Sequence, residues 1–407
     1  MSSKKILVIA WQWRNTGGDW AYAKSITNTY IDKGYDVTIL TSGNFHEEIG
    51  QVKTIRTSSL LKRDANNLKD KLAFPFRYII QNQLSNTDKE LIKNTNWYFV
   101  HVHSLLGGPG YKVLDKIKSS IPVLYTLHDY HLSCPTTNHF KNGKNCMQCI
   151  EDTPFRCVIN NCRGTFPESV AAYTLHKLFR NSSELDRVNY FLCPSNFMRQ
   201  TMLRSGLPEE KLITTGYCLD DKSLDELSYE DINSLDSKDY EPFIFYAGRL
   251  EPYKGIKTLI KACATLGYRL LIAGKGSIKV ELEDYININK LDVLMLGQLN
   301  KTNLARNIAN STAVVVPSEW HENFPFAVTE SLLLGTPVIG SSMGGIPELI
   351  SDGNNGYVFR TGNEEDLSKK LQILISNGVN WSKEEIVTNI RNRFDCNKHY
   401  LEILNLI

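Results

Sequence analysis

The chain has 407 residues, enough for two hydrophobic cores, because domains usually hold roughly 100–200 residues. Hydrophobic residues make up 42% and charged residues 22%, which excludes a disordered, collagen-like or coiled-coil chain. No apolar run approaches the roughly 18 residues of a membrane span, and the first residues lead into a strand-like segment instead of a signal peptide. We therefore expect a folded, cytoplasmic protein.

The net charge of +2 conceals a basic first half. Residues 1–200 hold 25 Lys and Arg against 16 Asp and Glu, a net charge of +9, whereas residues 201–240 hold 4 against 10. The sequence contains no recognisable nucleic-acid-binding module, so we expect no nucleic-acid partner. The basic excess is either ordinary solvated surface or a face for anionic membrane lipids.

The first half alternates apolar runs with helix-like segments. Near-continuous apolar runs are typical of parallel strands that are buried on both faces. They predict strands at 5–10, 35–40, 98–103, 122–127 and 190–193, and the first strand is followed by a Gly17–Gly18 turn and a helix over 21–33. This order predicts a doubly wound, Rossmann-like α/β domain over residues 1–219.

A second series of the same kind follows an acidic, Ser- and Asp-rich stretch at 220–240, which is predicted to be a linker. The second domain is predicted over 241–381, and a helix-like tail, 382–407, is expected to pack back on the first domain. The predicted strands of the second domain are 243–247, 269–273, 293–296, 313–316 and 337–339.

Two doubly wound domains facing each other across a cleft would place the carboxyl ends of both sheets around one ligand. A dinucleotide-dependent oxidoreductase is a competing interpretation. It is disfavoured because neither first strand is followed by Gly-x-Gly-x-x-Gly.

The segment 317–330 carries the strongest candidate site, because it follows a buried strand and opens a helix. Pro325 suits the first turn of that helix, and the amides of 323–327 would form a site for a diphosphate. Glu322 and Glu330 could accept hydrogen bonds from hydroxyls on either side of it. The alternative is that these carboxylates only favour the helix dipole.

Two cations follow the first strand of the second domain. Arg249 lies at the strand end and Lys254 at the start of the next helix, where they could clamp phosphate oxygens. The alternative is that both are ordinary surface residues. In the first domain, Gly17 and Gly18 would let the backbone approach a ligand closely, although an ordinary tight turn would look the same.

Taken together, these motifs resemble the signature of retaining GT-B glycosyltransferases of family 4. The resemblance covers most of the chain, and it implies a GT-B architecture and transfer of a hexosyl-type sugar from a nucleotide donor. The motifs are Arg249-x4-Lys254, the Gly274 and Gly276 turn, Gly297-Gln-Leu299, Glu322-x7-Glu330, Gly335-Thr-Pro-Val338 and the segment 344–349.

The resemblance also implies residue roles. Arg249 and Lys254 hold the donor diphosphate, Glu330 binds the ribose, and the 297–299 loop meets the base. His128, at the end of a predicted strand, and Glu322 are the catalytic residues beside the donor sugar, although a lone histidine at a strand end is more often structural. The donor-binding set implied is Gly17, Gly18, Arg249, Lys254, Gly276, Leu299, Asn323, Phe324, Pro325 and Glu330.

Catalysis of this kind needs preorganised donors for the charge that develops on the departing diphosphate. Arg249, Lys254 and the helix amides could supply them, and the chain contains no Asp-x-Asp motif. We therefore expect a metal-independent reaction that requires no cofactor.

Five of the 9 cysteines lie within residues 134–162, and the chain is too large to need a disulfide framework. The spacing of Cys146, Cys149, Cys157 and Cys162 could furnish a structural zinc site, with Cys134, His131 or His139 replacing any one ligand. The alternatives are reduced structural cysteines or a local disulfide.

The favoured function is a cytoplasmic glycosyltransferase, peripheral on the membrane, that builds a cell-surface polysaccharide or lipid-linked oligosaccharide. Its expected partners are a UDP- or GDP-sugar, a glycan or lipid-linked acceptor and an anionic membrane surface. The alternatives are a GT-B nucleotide-sugar epimerase and a non-catalytic nucleotide-sugar-binding protein.

Overall fold

The structure is a computed structural model. It describes residues 3–10, 17–42, 52–57, 84–105, 110–220 and 241–407. The described strands are β1 (Lys5–Ala10), β2 (Asp36–Ser42), β3 (Lys53–Thr57), β4 (Trp97–Val102), β5 (Val123–Thr126), β6 (Phe140–Lys141), β7 (Lys144–Asn145), β8 (Tyr190–Cys193), β9 (Leu212–Thr214), β10 (Phe243–Ala247), β11 (Arg269–Ala273), β12 (Val293–Gly297), β13 (Ala313–Val316), β14 (Val338–Ser341) and β15 (Gly356–Phe359).

Helices alternate with the strands. They are α1 (Gly18–Asp32), α2 (Asn86–Asn94), α3 (Gln148–Glu151), α4 (Arg156–Ile159), α5 (Phe166–Arg180), α6 (Ser183–Asp186), α7 (Asn196–Arg204), α8 (Ile256–Leu266), α9 (Lys279–Ile288), α10 (Lys301–Asn310), α11 (Phe326–Leu333), α12 (Glu364–Asn377), α13 (Lys383–Arg393) and α14 (Cys396–Leu404). Short 3-10 turns lie at Tyr111–Lys116, Glu209–Lys211, Pro252–Lys254 and Ile346–Glu348.

The chain forms two compact units. The first contains residues 1–139, 146–220 and 396–407, and the second contains 140–145 and 221–395. Two details differ from the sequence-based division. The hairpin 140–145, placed in the first domain by its position in the chain, belongs to the second unit. The predicted tail is divided between the two units after residue 395. The predicted linker, apart from Asp220, lies outside the described residues.

The division of the tail has a packing explanation. Helix α13 buries Ile386 and Ile390 and packs on α11 in the second unit. Helix α14 packs on α1 in the first unit, where His399 and Tyr22 form a hydrogen bond. The apolar faces of the two helices, and not their adjacency in sequence, therefore decide which unit each one joins.

The first unit contains a seven-stranded parallel sheet in the order β3-β2-β1-β4-β5-β8-β9. The last five of the six residues of β1 are all buried, as expected for a central parallel strand. The sequence missed β3 and β9, which are the two edge strands. An edge strand has fewer buried positions, so its sequence lacks the continuous apolar run by which the central strands were found.

The second unit contains a six-stranded parallel sheet in the order β12-β11-β10-β13-β14-β15. The order reverses between β10 and β13, and such a switch point opens a crevice at the carboxyl ends of the two strands. Buried residues of β10, β11 and β13 form a core with helix α8. The missed strand, β15, is again at an edge.

A disulfide joins Cys218 and Cys396 within the first unit. The sequence analysis did not predict it, because the two cysteines are 178 residues apart and neither lies in a recognisable spacing. Among the described residues, no helix combines the length and the apolar character that a bilayer span requires.

Candidate active site

The candidate donor site of the second unit lies where two adjacent strands end. Strand β10 is followed by Gly248 and Arg249, and its neighbour β13 is followed by Pro317 and Ser318. The two motifs that the sequence analysis singled out therefore emerge side by side at the switch point of the sheet. This arrangement explains how residues almost 70 positions apart can form one site.

Lys254 and Glu322 form an ion pair at this position. The Nζ atom of Lys254 lies 2.5 Å from Oε1 of Glu322, and the Ser318 hydroxyl donates to the same oxygen at 2.6 Å. The two charged side chains are only 15% and 11% exposed. Burial alone would raise the pKa of Glu322, but the Lys254 ammonium and the Ser318 hydroxyl hold that pKa below its ordinary value.

Two aromatic side chains border the pair. The rings of Tyr253 and Trp320 lie 4.9 Å apart, and Nζ of Lys254 is 5.1 Å from the Trp320 ring. The guanidinium of Arg249, which is exposed, lies 5.7 Å from the Tyr253 ring. The Nζ atom of Lys254 lies 6.0 Å from the same Tyr253 ring, so the two cations lie in one region.

Two glycines permit close backbone approach here. A Cβ atom at Gly344, where φ is +60°, would lie 2.1 Å from the carbonyl oxygen of Glu322. The next amide, that of Gly345, donates to the same oxygen at 2.7 Å. At Gly276 a Cβ atom would lie 2.1 Å from the carbonyl oxygen of Leu250. Larger residues would displace both loops.

The helix after Glu322 begins one residue later than predicted. Pro325 lies immediately before helix α11 and does not occupy its first turn. Asn323 and Phe324 lie in the preceding loop, and the Phe324 ring packs 5.5 Å from that of Phe394. Leu299 lies directly before Asn300, the N-cap of helix α10. The loop positions of Asn323, Phe324 and Leu299 agree with the sequence analysis, and their contacts with a donor stay predictions.

Glu330 lies in the second turn of helix α11, as predicted. Burial raises its pKa to about 7, an effect that the charge of Lys301 partly opposes. A carboxyl group with this pKa changes its charge near neutral pH, so its capacity to accept hydrogen bonds depends on pH in the same range.

In the first unit, His128 follows strand β5 and is held by two ring contacts. Its Nδ1 atom lies 2.6 Å from the Tyr217 hydroxyl, and its Nε2 atom lies 3.2 Å from Nδ1 of His103. Burial lowers the pKa of His128, while the carboxylates of Asp19 and Asp129 oppose the effect. Both nitrogens of the ring are therefore engaged within this unit, and the neutral form is favoured.

His103 and Tyr217 belong to a buried cluster of tyrosines and histidines that the sequence analysis missed. Tyr217 stacks on Tyr22 at 4.6 Å, and the Tyr22 hydroxyl lies 2.8 Å from Nε2 of His399. Among the described residues, Nε2 of His103 has no hydrogen-bond partner. The motif His101-Val-His103 at a strand end could have indicated this cluster from the sequence. No local sequence pattern marks Tyr217 or His399 as members of it.

Gly17 and Gly18 begin helix α1. Gly17 is its N-cap with φ +95°, where a Cβ atom would lie 2.7 Å from Oδ1 of Asp19. This conformation fits the predicted turn, and the predicted donor contact of these glycines stays a prediction.

The structure does not assemble the predicted zinc ligands. Among the described residues, no group of three or more His, Cys, Asp or Glu side chains could hold a metal ion. Burial raises the pKa of the Cys157 thiol to about 12 and that of the Cys149 thiol further, and neighbouring thiols make smaller contributions in the same direction. Zinc at Cys146, Cys149, Cys157 and Cys162 stays a prediction.

The proposed substitute ligands are also engaged. The ring nitrogens of His131 lie 2.5 Å from Oδ1 of Asp129 and 2.9 Å from the Tyr125 hydroxyl. Those of His139 lie 2.8 Å from the Ser133 hydroxyl and 3.0 Å from the carbonyl oxygen of Cys146. The Cys134 thiol lies 3.2 Å from the Thr136 hydroxyl.

Comparison with known protein families finds a match within the second unit. Residues 228–393 match the model of the family described as glycosyl transferases group 1. This region is similar to the glycosyl transferases group 1 family, and we call it the group 1 domain below. The group 1 domain contains the Lys254–Glu322 pair, Glu330 and the glycines that approach their loops.

One curated relative is an uncharacterized glycosyltransferase of Methanocaldococcus jannaschii, which is 32% identical over 162 residues. The match covers 38% of this chain and 40% of that protein. The chain spans about two fifths of the length of the curated relatives of this kind that it matches.

Two solved structures match along almost the whole chain. Anabaena HepE in complex with UDP superimposes with a TM-score of 0.68 at 18% identity, covering 99% of this chain and 98% of HepE. The lipopolysaccharide outer core galactosyltransferase WaaB superimposes with a TM-score of 0.65 at 16% identity, covering 99% and 100%. The predicted fold class, a GT-B architecture with two doubly wound Rossmann-like domains, is confirmed.

Proposed function

We propose that this protein is a retaining glycosyltransferase of family 4. It transfers a hexosyl group from a UDP- or GDP-sugar to a glycan or lipid-linked acceptor. The observation that carries the proposal is the buried Lys254–Glu322 pair at the switch point of the group 1 domain. A desolvated cation held at the carboxyl ends of parallel strands is suited to an anionic ligand such as a diphosphate.

The proposed chemistry uses groups of the group 1 domain to stabilise the leaving diphosphate. The bond from the anomeric carbon to the phosphate oxygen breaks while the acceptor oxygen bonds to the same face of that carbon. The acceptor proton passes to an oxygen of the leaving diphosphate. Lys254, Arg249 and the amides at the start of helix α11 meet the developing charge, so the reaction needs no metal at the donor site.

Glu322 is proposed to bind hydroxyls of the donor sugar, and Glu330 those of the ribose. The fixed carboxylate of Glu322 supports the first assignment, because Lys254 and Ser318 both reach its Oε1 atom and orient the group. His128 is proposed as the catalytic residue of the first unit, and its support is the family resemblance together with its fixed, neutral ring.

The donor and acceptor classes draw on the structural relatives. HepE was solved with UDP and with UDP-glucose, which favours a uridine nucleotide sugar as the first donor to test. WaaB is named for lipopolysaccharide outer core, which favours a glycan or lipid-linked acceptor in cell-surface polysaccharide biosynthesis. We place this reaction in the cytoplasm, with the basic first half against an anionic membrane surface.

Nucleotide release is the test of this function. Purified protein is incubated with UDP- and GDP-sugars, with and without lipid-linked glycans, and the anomeric configuration of the product is read by NMR. A transferase releases nucleotide in proportion to acceptor and keeps the anomeric configuration of the donor. Sugar interconversion without acceptor would instead identify an epimerase, and binding without release would identify a non-catalytic protein.

A further inference from the structure

The hairpin of strands β6 and β7 is part of the second unit although its sequence lies inside the first. The chain leaves the first unit after His139 and returns at Cys146, where the amide of Cys146 donates to the carbonyl oxygen of His139 at 2.7 Å. Asn142 and Gly143 close the turn with φ of +49° and +76°. Positive φ at both central residues is the conformation that a two-residue hairpin turn requires, so the turn has regular hairpin geometry.

One side of the hairpin contacts the loop that carries Lys254. The Phe140 ring lies 5.3 Å from that of Tyr253, at an interplanar angle of 63°. Tyr253 directly precedes Lys254, and its ring also packs on Trp320, which faces the Lys254 ammonium. Phe140 is therefore joined to Lys254 through a continuous set of aromatic contacts.

The second strand of the hairpin contacts the loop that carries Glu322; its contact residue, Asn145, is the cross-strand partner of Phe140. The side-chain Nδ2 atom of Asn145 donates to the carbonyl oxygen of Glu319 at 2.7 Å and lies 3.6 Å from the Met343 sulfur. Met343 directly precedes Gly344, whose close approach to the carbonyl oxygen of Glu322 was described above. Asn145 therefore contacts the residue three positions before Glu322 and the residue that precedes Gly344.

We propose that this hairpin sets the donor affinity of the group 1 domain, with Phe140 and Asn145 as positioning residues for Lys254 and Glu322. The inference rests on the proposed function, because it deepens the role of that same site. Its basis is that the hairpin contacts both loops of the ion pair, one by an aromatic ring and the other by a side-chain amide. Neither residue needs to touch the donor.

The test compares the full-length wild type with Phe140→Ala and Asn145→Ala. UDP, GDP and their sugar conjugates serve as probes in equilibrium binding and in steady-state kinetics. Loss of one aromatic contact or one hydrogen bond should raise the donor Kd and KM by roughly 3- to 10-fold, with a smaller change in kcat. Phe140→Tyr, which keeps the ring, should restore the donor affinity.

The chain offers matched controls in its first unit. Phe155 lies 5.3 Å from Tyr173 with a similar edge-on geometry, and Asn160 donates to Gln148 at 2.7 Å. Phe155→Ala and Asn160→Ala should leave the donor Kd unchanged. If Phe140→Ala does not fold, Phe140→Leu retains the apolar bulk and enters the same comparison.

A double-mutant cycle separates positioning from general stabilisation. Phe140→Ala and Tyr253→Ala should be non-additive in donor binding, because Phe140 acts through Tyr253. Unchanged donor Kd in the folded hairpin variants, or the same change in the control variants, would overturn the role of the hairpin alone. Absence of nucleotide binding by the wild type would overturn the proposed function and the hairpin proposal together.

Discussion

Lys254 and Glu322 lie 68 positions apart in sequence, and their charged atoms are 2.5 Å apart in a nearly buried pair. Burying either charge without its partner would cost free energy, so each side chain allows the other to be buried. Under the proposed function, one residue meets the diphosphate and the other meets the sugar. In that proposal, the pair fixes the spacing between the two parts of the donor before the donor binds.

The first prediction concerns the cation of this pair. Lys254→Ala should lower kcat/KM for the donor by the equivalent of about 2–4 kcal/mol, which is the scale for removing one preorganised donor to a developing anion. The control is Lys257→Ala, which removes an exposed lysine paired with Glu281 in the same region. Equal losses in the two variants would show that net charge, and not the position of Lys254, matters. Added EDTA should change neither rate.

The second prediction concerns the protonation of Glu330. Burial raises its pKa from the ordinary value of 4.5 to about 7 in the folded protein. The folded state therefore keeps its proton at pH values at which the unfolded state has already released it. The contribution of this group to stability is therefore present below about pH 4.5 and is lost as the pH rises through 7. Relative to Glu330→Gln, the melting temperature of the wild type should fall between pH 5 and pH 8. A constant difference across that range would contradict the raised pKa.

The third prediction concerns the orientation of His128. Tyr217→Phe removes the hydroxyl that lies 2.6 Å from Nδ1 of His128. It should lower kcat by roughly 3- to 10-fold, the scale of one hydrogen bond. It should leave UDP binding unchanged, because His128 is proposed to act beside the donor sugar and UDP contains no such sugar. Tyr190→Phe, in strand β8 of the same unit, is the control. A wild-type kcat in Tyr217→Phe would remove the hydroxyl from the mechanism.

The fourth prediction concerns the membrane. Residues 1–200 carry a net charge of +9, from 25 basic and 16 acidic residues, and we expect salt-sensitive binding to anionic vesicles worth roughly 1 kcal/mol per cation near the surface. Cosedimentation should occur at low salt and disappear at high salt, and neutral vesicles should give none. Exposed Ile159 and Phe166 belong to the same unit, so their replacement by Ser should weaken binding further. Binding that persists at high salt would exclude an electrostatic surface.

Local sequence pattern determined the central strands and the loops that follow them. The predicted strands 243–247, 269–273 and 313–316 agree with β10, β11 and β13 to the residue. Central parallel strands are buried on both faces, so each one needs its own apolar run and can be read without knowing its neighbours. The residues after β10 and β13 were found for the same reason, because a motif at a strand end is a local feature of the sequence.

Tertiary structure alone decided which of these residues meet. The strand order places β13 beside β10, and only this neighbourhood joins Lys254 to Glu322. The contact of Tyr217 with His128 and the disulfide of Cys218 with Cys396 are also non-local. The hairpin at 140–145 is the clearest case, because its sequence fixes a turn whereas its unit depends on Tyr253 and Glu319, more than 100 positions away. Such contacts follow from the packing of whole elements, and no spacing within the sequence encodes them.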